Sequence, residues 1–365
     1  MKIVQMCRAL GAGGIEAIVC GLSNELARTN DVTVCTLRPS GDGDLFYTRL
    51  DSRIVKESVG KGGESPLTIV LRVYKYLKGS SFDIVHIHGF FYFYLLAVVL
   101  LHKRIRFFYT VHSDALKENN PWDLRLLALK RFCFKRKWIC PVTISTASKQ
   151  SFTALYGTDS KLIMNGIPKP VIVEGGHPMD PYRNTPDTRV FIHAGRISLE
   201  KNQGMMCSVF DRLVKEGEDV ALVLAGPMHS SAALDAISPF LSDRIRYIGE
   251  SSRIPEMMHD SFGMCLTSFY EGLPVVLLEA LSTGCIPVCT PVGGIVDIVR
   301  DGANGFLSAS VSEDDYYAAV KRLLGLPVPE THKLRVACVE SFAPFDISVM
   351  AENYLHYYHE QRLIK

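Results

Sequence analysis

The segment SFYEGLPVVLLEALSTGCIPV, residues 268–288, carries two glutamates, Glu271 and Glu279, on either side of the run LPVVLL. Pro274 suits the first turn of a helix, where its missing N–H costs nothing, and Gly284 suits the position just past a helix end. The segment therefore predicts a helix that runs from Pro274 to just before Gly284. Glu271 stands just before this helix, and Glu279 lies about a turn and a half further along.

The start of such a helix is a natural site for an anion. A helix that follows a strand of a parallel sheet begins at the carboxyl edge of the sheet, where its first N–H groups bind phosphate. A phosphate bound there leaves Glu279 within reach of a neighbouring sugar hydroxyl, which suits a nucleotide with its ribose on the inner glutamate. The spacing alone also fits a solvated helix in which Glu271 complements the helix dipole.

The rest of the chain alternates short β-branched runs with helical patterns, which is typical of parallel sheets covered by helices on both faces. We expect an α/β protein with two Rossmann-like, doubly wound domains that face one another across a cleft. A Pro- and Gly-rich linker at 167–188 separates a first domain, 1–166, from a second domain, 189–345. The helical pattern at about 346–365 is expected to pack back on the first domain.

The composition argues against several functional classes. A net charge of +2 argues against a general nucleic-acid-binding protein. The ten cysteines form no CxxC pair, so we expect reduced thiols and no structural zinc. The longest apolar run, residues 90–101, is too short to span a bilayer, and the first residues lack the apolar core of a signal peptide. These features predict a cytoplasmic protein.

The glutamate-bearing segment resembles the E-x7-E motif of retaining glycosyltransferases of the GT-B fold, family 4 type, also called glycosyl transferases group 1. The match includes Gly272 and Pro274 as well as both acids. The resemblance implies that Glu271 lies near the transferred sugar and that Glu279 holds the nucleotide ribose. It also implies that the main chain of Leu273, Pro274 and Val275 contacts the diphosphate.

The segment HAGRISLEKNQ supplies two cations just after a predicted strand. Arg196 can bind two phosphate oxygens with its guanidinium fork, while Lys201 acts as a point charge. The segment resembles the family's G-R-x4-K-N motif, beginning at Gly195, and the resemblance places both cations at the leaving diphosphate. Because these cations and the helix start can neutralise the diphosphate, no metal is expected. The alternative is a surface loop with two ordinary cations.

Three features of the first domain resemble the family. The sequence GAGGIE is a poor dinucleotide fingerprint, because its third glycine position holds Glu16. It resembles the GG-x-E loop, in which Gly13 and Gly14 approach phosphate and acceptor, although a plain turn is the alternative. His112, at the end of a predicted strand, resembles a histidine that approaches the donor sugar, or else is structural. Asn165 lies in a segment that resembles the N-G loop before the second domain.

Two patterns mimic metal sites. His86 and His88 lie on one side of a predicted strand, but a third ligand is missing, and we expect an ordinary strand. Asp42-Gly43-Asp44 mimics the DxD metal site of the other glycosyltransferase fold. The residues before it are RPSG rather than an apolar strand end, which favours a loop. Asp297 occupies a position where the family more often has Glu, and its role stays open.

The stretch 123–140 combines cations with apolar residues at helical spacing. Its cations are Arg125, Lys130, Arg131, Lys135, Arg136 and Lys137. One interpretation is a core helix with solvated lysines. The other is a basic amphipathic segment that makes a peripheral contact with the inner face of the membrane. A membrane contact suits a polyprenyl-linked acceptor.

Together these features predict a metal-independent, retaining hexosyltransferase without a cofactor. The co-substrate is a nucleotide-diphosphate sugar, such as a UDP- or GDP-sugar, and the acceptor is a hydroxyl of a glycan or lipid-linked saccharide. The expected process is the synthesis of a cell-surface polysaccharide such as O-antigen or capsule. The catalytic residues that the resemblance implies are Glu271, Arg196, Lys201 and His112. Two alternatives are a nucleotide-sugar 2-epimerase of the same fold and a non-catalytic protein that binds sugar nucleotides.

Overall fold

The computed structural model describes most of the chain. The described residues are 1–119, 121–172 and 176–363. Parts of the predicted linker and of the predicted C-terminal helix, residues 173–175 and 364–365, lie outside the described residues. The chain divides into two compact units, of which unit 1 comprises Met1–Pro168 with Phe345–Lys365, and unit 2 comprises Lys169–Pro344.

Unit 1 contains a seven-stranded parallel sheet with the strand order 3-2-1-4-5-6-7. Its strands are β1 (Lys2–Cys7), β2 (Asp31–Thr36), β3 (Val55–Ser58), β4 (Ile84–His88), β5 (Arg106–Val111), β6 (Ile139–Thr143) and β7 (Lys161–Leu162). Its helices are α1 (Gly14–Leu26), α2 (Leu45–Thr48), α3 (Pro66–Gly79), α4 (Leu95–Leu101), α5 (Pro121–Arg125), α6 (Leu127–Lys135), α7 (Thr146–Tyr156) and α15 (Ile347–Leu363). The central strands are buried almost throughout, because helices cover both faces of the sheet.

Unit 2 contains a six-stranded parallel sheet with the strand order 10-9-8-11-12-13. Its strands are β8 (Arg189–Ala194), β9 (Val220–Ala225), β10 (Ile245–Gly249), β11 (Gly263–Leu266), β12 (Ile286–Cys289) and β13 (Phe306–Leu307). Its helices are α8 (Gln203–Lys215), α9 (Ser231–Ile237), α10 (Ile254–Asp260), α11 (Val275–Thr283), α12 (Ile295–Ile298), α13 (Glu313–Leu324) and α14 (Val328–Ser341). The expectation of an α/β protein with two Rossmann-like parallel sheets is confirmed.

The basic stretch at 123–140 forms three elements rather than one. Helix α5 ends at Arg125, helix α6 covers Leu127–Lys135, and strand β6 begins at Ile139. The expectation that Lys130 is one of the solvated cations is wrong, because its side chain is only 1% exposed. In the described part of the chain, no helix has both the length and the apolar character that crossing a bilayer requires.

The surroundings of Lys130 explain how its ammonium group is buried. Its Nζ lies 3.2 Å from Asp123 Oδ1, and only 2% of the Asp123 side chain is exposed. The ammonium also lies 4.8 Å from the ring centre of Phe91, 5.8 Å from that of Tyr109 and 5.5 Å from that of Tyr156. Burial lowers the pKa of Lys130, while the charge of Asp123 acts in the opposite direction. A carboxylate, the Asn119 side-chain oxygen and three aromatic rings thus replace the water that a surface lysine would have.

We expect Lys130→Met to lower the free energy of unfolding of unit 1 by about 3–5 kcal/mol, because it removes a cation from beside the buried Asp123 carboxylate. Lys149 is the control, because its ion pair with Asp159 leaves 37% and 76% of the two side chains exposed. Lys149→Met should change stability by less than about 1 kcal/mol. Urea unfolding followed by tryptophan fluorescence measures unit 1, which contains both tryptophans. Equal effects of the two substitutions would contradict the stabilising role of the buried pair.

Candidate active site

The predicted helix in the glutamate-bearing segment is α11. It runs from Val275 to Thr283, and Gly284, directly after it, adopts a left-handed φ of 72°. Pro274 precedes the first turn instead of lying within it, because its ψ of 121° is extended. No side chain caps the helix start, which follows β11 at the carboxyl edge of the sheet. This end of α11 therefore offers main-chain N–H groups to an anion.

The two predicted charged residues nearest to this helix start form an ion pair. Lys201 Nζ lies 2.5 Å from Glu271 Oε1, and the Ser268 hydroxyl donates to the same oxygen at 2.6 Å. Only 8% of the Glu271 side chain and 23% of the Lys201 side chain is exposed. These residues meet because β8 and β11 are neighbours, so the loops that follow them lie side by side. The pair brings a cation to the start of α11.

Main-chain contacts hold the two loops together. Phe269 N–H donates to the Glu200 carbonyl at 3.0 Å. The Thr267 hydroxyl lies 2.9 Å from each of the carbonyl oxygens of Lys201 and Asn202. The loop that carries the cation and the loop that carries the acid are therefore joined independently of the ion pair.

A glutamine at the start of α8 supports the arginine loop. Gln203 Nε2 donates to the Arg196 carbonyl at 3.0 Å and to His193 Nε2 at 3.0 Å, while its Oε1 accepts from Ser198 N–H at 3.2 Å. His193 Nδ1 donates to the Cys265 carbonyl at 2.9 Å. Burial lowers the pKa of His193 to about 4, so the ring is neutral at pH 7 and its Nε2 can accept. Sequence analysis missed this support, although His193 is the first residue and Gln203 the last residue of the quoted segment HAGRISLEKNQ.

A glycine after β12 supports the acid loop. Gly293 has a φ of 55°, and a Cβ placed there would lie 1.7 Å from the Glu271 carbonyl oxygen. The next residue, Gly294, donates its N–H to the Gly272 carbonyl at 2.8 Å. The main chain at Gly293 therefore packs directly against the main chain at Glu271. The paired glycines in PVGGIV were a signal that sequence analysis did not use.

The remaining predicted residues of unit 2 lie in the loop after β8, on α11 and on α12. Arg196 is exposed, and Gly195 before it has a φ of 147°. Glu279 is partly exposed and lies on α11, the helix that begins shortly after Glu271. Asp297 lies within the short helix α12. The structure pairs Lys201 with Glu271. Arg196 lies in the loop after β8, before Lys201, and Glu279 lies on α11, after Glu271.

In unit 1, the glycine loop lies at the carboxyl end of β1. Helix α1 begins at Gly14, and Gly13 precedes it with an extended main chain. A Cβ at Gly13 would lie 2.3 Å from Glu16 Oε2, so the loop and this carboxylate pack closely. Burial raises the pKa of Glu16.

The predicted N-G loop packs against the start of α15. Asn165 is buried, and a Cβ at Gly166 would lie 2.8 Å from the Asp346 carbonyl oxygen. Gly166 N–H also lies 3.0 Å from Met350 Sδ. A side chain at Gly166 would therefore push the C-terminal helix away.

His112 directly follows β5 and is buried. Its Nε2 lies 2.9 Å from His88 Nδ1, and its main-chain N–H donates to Glu118 Oε2 at 2.9 Å. Burial lowers the pKa of His112 to about 4 and raises the pKa of Glu118 to about 7. Both ring nitrogens of His86 and of His88 are hydrogen-bonded to neighbouring side chains. These bonds occupy the nitrogens that a metal would require.

Two further groups contain side chains of the kind that bind metal ions. Asp42-Gly43-Asp44 forms a turn before α2, in which Asp44 Oδ2 accepts the N–H of Gly41 at 3.1 Å. Among the described residues, the ligand atoms of His177, Asp180 and Asp260 lie within 4.8 Å of one another. Arg183 already binds Asp260 at 2.9 Å, so the charge of that group is partly neutralised.

Two family models match the chain. "Glycosyltransferase Family 4" matches residues 12–169, which lie in unit 1 except for the last residue, and "Glycosyl transferases group 1" matches residues 179–341, within unit 2. Together the two models cover most of the chain.

Individual proteins resemble the chain over most of its length. EpsF of Bacillus subtilis is 28% identical over an alignment that covers 86% of this chain and 84% of EpsF. A GDP-mannose:cellobiosyl-diphosphopolyprenol alpha-mannosyltransferase of Xanthomonas oryzae is 24% identical over an alignment that covers 99% of this chain and 97% of the relative. The crystal structure of Anabaena HepE in complex with UDP and glucose superposes with a TM-score of 0.78 at 18% identity, over 99% of this chain and 100% of HepE. This last likeness shows the shared fold.

We expect Gly293→Ala to destabilise unit 2 and to displace the Glu271 main chain, because the new methyl group has no room. Gly217→Ala is the matched control, since Gly217 has a φ of 89° but nothing lies within 4 Å of its Cβ position. The control should lose about 1–2 kcal/mol from left-handed backbone strain. Gly293→Ala should lose about 1–3 kcal/mol more through overpacking. Calorimetric unfolding tests this, and equal losses would contradict the close packing of Gly293 against Glu271.

Proposed function

Because the chain belongs to the group 1 glycosyltransferases of the GT-B fold, we propose that it transfers a hexose from a nucleotide-diphosphate sugar to a saccharide hydroxyl, with retention of configuration. The observation that carries this proposal is the Lys201–Glu271 ion pair beside the uncapped start of α11. It combines a cation, main-chain N–H groups and a buried carboxylate, which are the groups that a sugar diphosphate requires.

The proposed donor site uses the groups at the carboxyl edge of the unit 2 sheet. Lys201 has three N–H donors, so it can bind Glu271 and a phosphate oxygen at once. The exposed Arg196 and the main chain of Leu273 to Val275 complete the diphosphate site, and Glu279 holds the ribose. Hydrogen bonds to charged groups contribute roughly 1.5–3 kcal/mol each. These cations and the helix start supply the charge that would make the reaction independent of a metal.

The proposed chemistry is attack on the same face of the sugar that the leaving group departs from. The leaving diphosphate gains negative charge as the glycosidic bond breaks, and Arg196, Lys201 and the start of α11 stabilise that charge. Glu271 orients the sugar and stabilises its positive charge. A phosphate oxygen accepts the proton of the acceptor hydroxyl, and His112 binds a hydroxyl of the donor sugar.

The relatives guide the choice of substrates. The Xanthomonas relative is named for GDP-mannose and a polyprenol-linked acceptor, and HepE was crystallised with UDP and glucose. We therefore propose a UDP- or GDP-hexose as donor and a polyprenyl-linked saccharide as acceptor, in the synthesis of a cell-surface polysaccharide such as O-antigen or capsule.

A surface of unit 1 suits an acceptor held in a membrane. Helices α5 and α6 expose three large apolar side chains, with 42% of Leu124, 38% of Leu129 and 42% of Phe132 accessible. Five exposed cations lie between them or within five residues after them in the sequence: Arg125, Arg131, Lys135, Arg136 and Lys137. Apolar side chains with interspersed cations favour the surface of an anionic membrane. We propose that this basic apolar surface makes a peripheral contact with the inner membrane face.

The donor proposal is tested by incubating the protein with a panel of UDP- and GDP-sugars and following slow donor hydrolysis by mass spectrometry. We expect hydrolysis of one donor, and losses of about 10²–10³-fold in rate for Arg196→Ala and for Lys201→Ala. Lys215→Ala is the control, because its ion pair with Asp211 leaves 74% of the lysine side chain exposed. Its rate should be unchanged.

Other outcomes of the same assay separate the alternatives. Conversion of the donor into its 2-epimer without any acceptor would indicate an epimerase. Binding of a nucleotide sugar without turnover would indicate a non-catalytic protein. Glu271→Ala with undiminished turnover would contradict the proposed role of Glu271.

The membrane proposal is tested by sedimentation with phosphatidylglycerol–phosphatidylcholine vesicles at low and high salt. We expect binding at low salt that weakens at high salt, because exposed charges are screened. Reversing two charges, in Lys135→Glu with Arg136→Glu, should weaken binding by at least about 10-fold. Lys215→Glu with Lys333→Glu makes the same charge change in unit 2 as a control. Absence of binding to anionic vesicles, or equal loss in the control, would refute the contact.

A further inference from the structure

A chain of buried polar side chains crosses unit 1 from the C-terminal helix to His112. All its members have 9% or less of their surface exposed. In order, they are Tyr354, Thr110, His86, Tyr358, Gln5, His88 and His112. They lie on β1, β4, β5 and α15, except His112, which directly follows β5. The chain of side chains therefore links the C-terminal helix to the sheet edge.

The half of the chain nearest to His112 contains two short contacts. His112 Nε2 lies 2.9 Å from His88 Nδ1, and His88 Nε2 lies 2.8 Å from Gln5 Oε1. The strand order places β1 beside β4 and β4 beside β5, so Gln5 and His88 lie on adjacent strands and His112 lies just past the end of the next strand. In each contact, one of the two groups must donate the hydrogen and the other must accept it.

The half nearest to the C-terminal helix continues the same pattern. Gln5 Nε2 donates to the Tyr358 hydroxyl at 3.4 Å, and that hydroxyl lies 2.6 Å from His86 Nδ1. His86 Nε2 lies 2.7 Å from Thr110 Oγ1, which lies 3.0 Å from the Tyr354 hydroxyl. Tyr358 is therefore both the acceptor for the Gln5 amide and a partner of His86.

The positions of the hydrogens follow from the Gln5 amide. Its Oε1 can only accept, so His88 Nε2 must carry a hydrogen. A neutral imidazole carries one hydrogen, which leaves His88 Nδ1 as an acceptor and makes His112 Nε2 the donor. His112 Nδ1 then carries the lone pair. Burial lowers the pKa of all three histidines, that of His112 to about 4, so each ring is neutral at pH 7.

Tyr358 continues the chain in the direction that the Gln5 amide sets. The amide nitrogen donates to the Tyr358 oxygen, so the Tyr358 hydrogen goes to His86 Nδ1, and His86 Nε2 donates to Thr110. Turning the amide round would reverse every bond along the chain. One orientation of Gln5 therefore determines which nitrogen of His112 carries its hydrogen.

We propose that Gln5 and Tyr358 are positioning residues that hold His112 in the Nε2–H form, so that Nδ1 accepts a hydrogen bond from a hydroxyl of the donor sugar. This inference rests on the role proposed above for His112. In this form His112 is a neutral acceptor, and it orients the sugar without donating a proton to it. The other form would present an N–H to the same hydroxyl and lose the acceptor.

The direct test is a long-range ¹H–¹⁵N correlation spectrum of the full chain labelled with ¹⁵N-histidine at neutral pH. The His112 signals are assigned by their loss in His112→Gln. We expect a protonated Nε2 and an unprotonated Nδ1 for His112. A protonated Nδ1 in the unmodified protein would overturn the proposal without any variant.

Variants test whether the chain sets this form. Gln5→Leu removes the acceptor, so we expect mixed His112 signals and a fall in kcat of about 10–100-fold, the size of loss seen when a partner that orients a metal-ligating histidine is removed. Gln5→Glu keeps an acceptor oxygen in either protonation state and should restore the Nε2–H form. Tyr358→Phe should give mixed signals, whereas Tyr357→Phe removes a hydroxyl from the same helix outside the chain and should not. A His112 form that is unchanged in Gln5→Leu and in Tyr358→Phe would contradict the proposal.

Failure of this inference is distinguishable from failure of the proposed function. Transfer at the unmodified rate by His112→Ala would contradict a role for His112 in the reaction, and with it the purpose proposed for the chain. A Nδ1–H form of His112 in an enzyme that needs His112 would contradict only the proposed effect of the hydrogen-bonded side chains on His112. The spectrum is measured without substrate, so it does not depend on knowing the donor.

Discussion

The buried ion pair between Lys201 and Glu271 is the contact on which the unit 2 site depends. A buried carboxylate is costly unless it is paired and hydrogen-bonded, and Glu271 has both Lys201 and the Ser268 hydroxyl. The pair forms because two neighbouring parallel strands deliver their loops to one edge of the sheet. Main-chain bonds and the close approach of Gly293 then hold the acid in place. The functional proposal follows from this arrangement, since a helix start adds N–H groups beside the pair.

The two units use a similar device at their sheet edges. Each contains a buried, neutral histidine that a glutamine side chain contacts, directly for His193 with Gln203 and through His88 for His112 with Gln5. In unit 2 the Cys265 carbonyl fixes the hydrogen on His193 Nδ1, and Gln203 uses the remaining contacts to support the Arg196 loop. A glutamine suits this task because its side chain carries a donor and an acceptor with a fixed relative orientation. In both units polar packing behind the sheet edge orients groups at that edge.

The sequence predicted the parts of this protein that depend on local pattern. The alternation of strands and helices and the helix α11 follow from periodicity and short motifs, whereas the cation beside the acid was implied by the family resemblance. Pro274 was placed one residue too far into the helix, because its φ of −70° fits both positions and only its extended ψ decides between them. Lys130 was assigned to the surface, because a sequence does not show that Asp123 and three aromatic rings surround it. The support from Gln203 and Gly293 depends on contacts between loops that are distant in sequence.

The central claim is that a sugar diphosphate binds at the start of α11 with Lys201 and Arg196 on its phosphates. The most direct measurement is a crystal structure of the protein with the nucleotide sugar that it hydrolyses. We expect the diphosphate at the main chain of Leu273 to Val275, in contact with both cations, and the ribose hydroxyls on Glu279. A well-occupied donor bound elsewhere, with its phosphates away from Lys201 and its ribose away from Glu279, would contradict the claim.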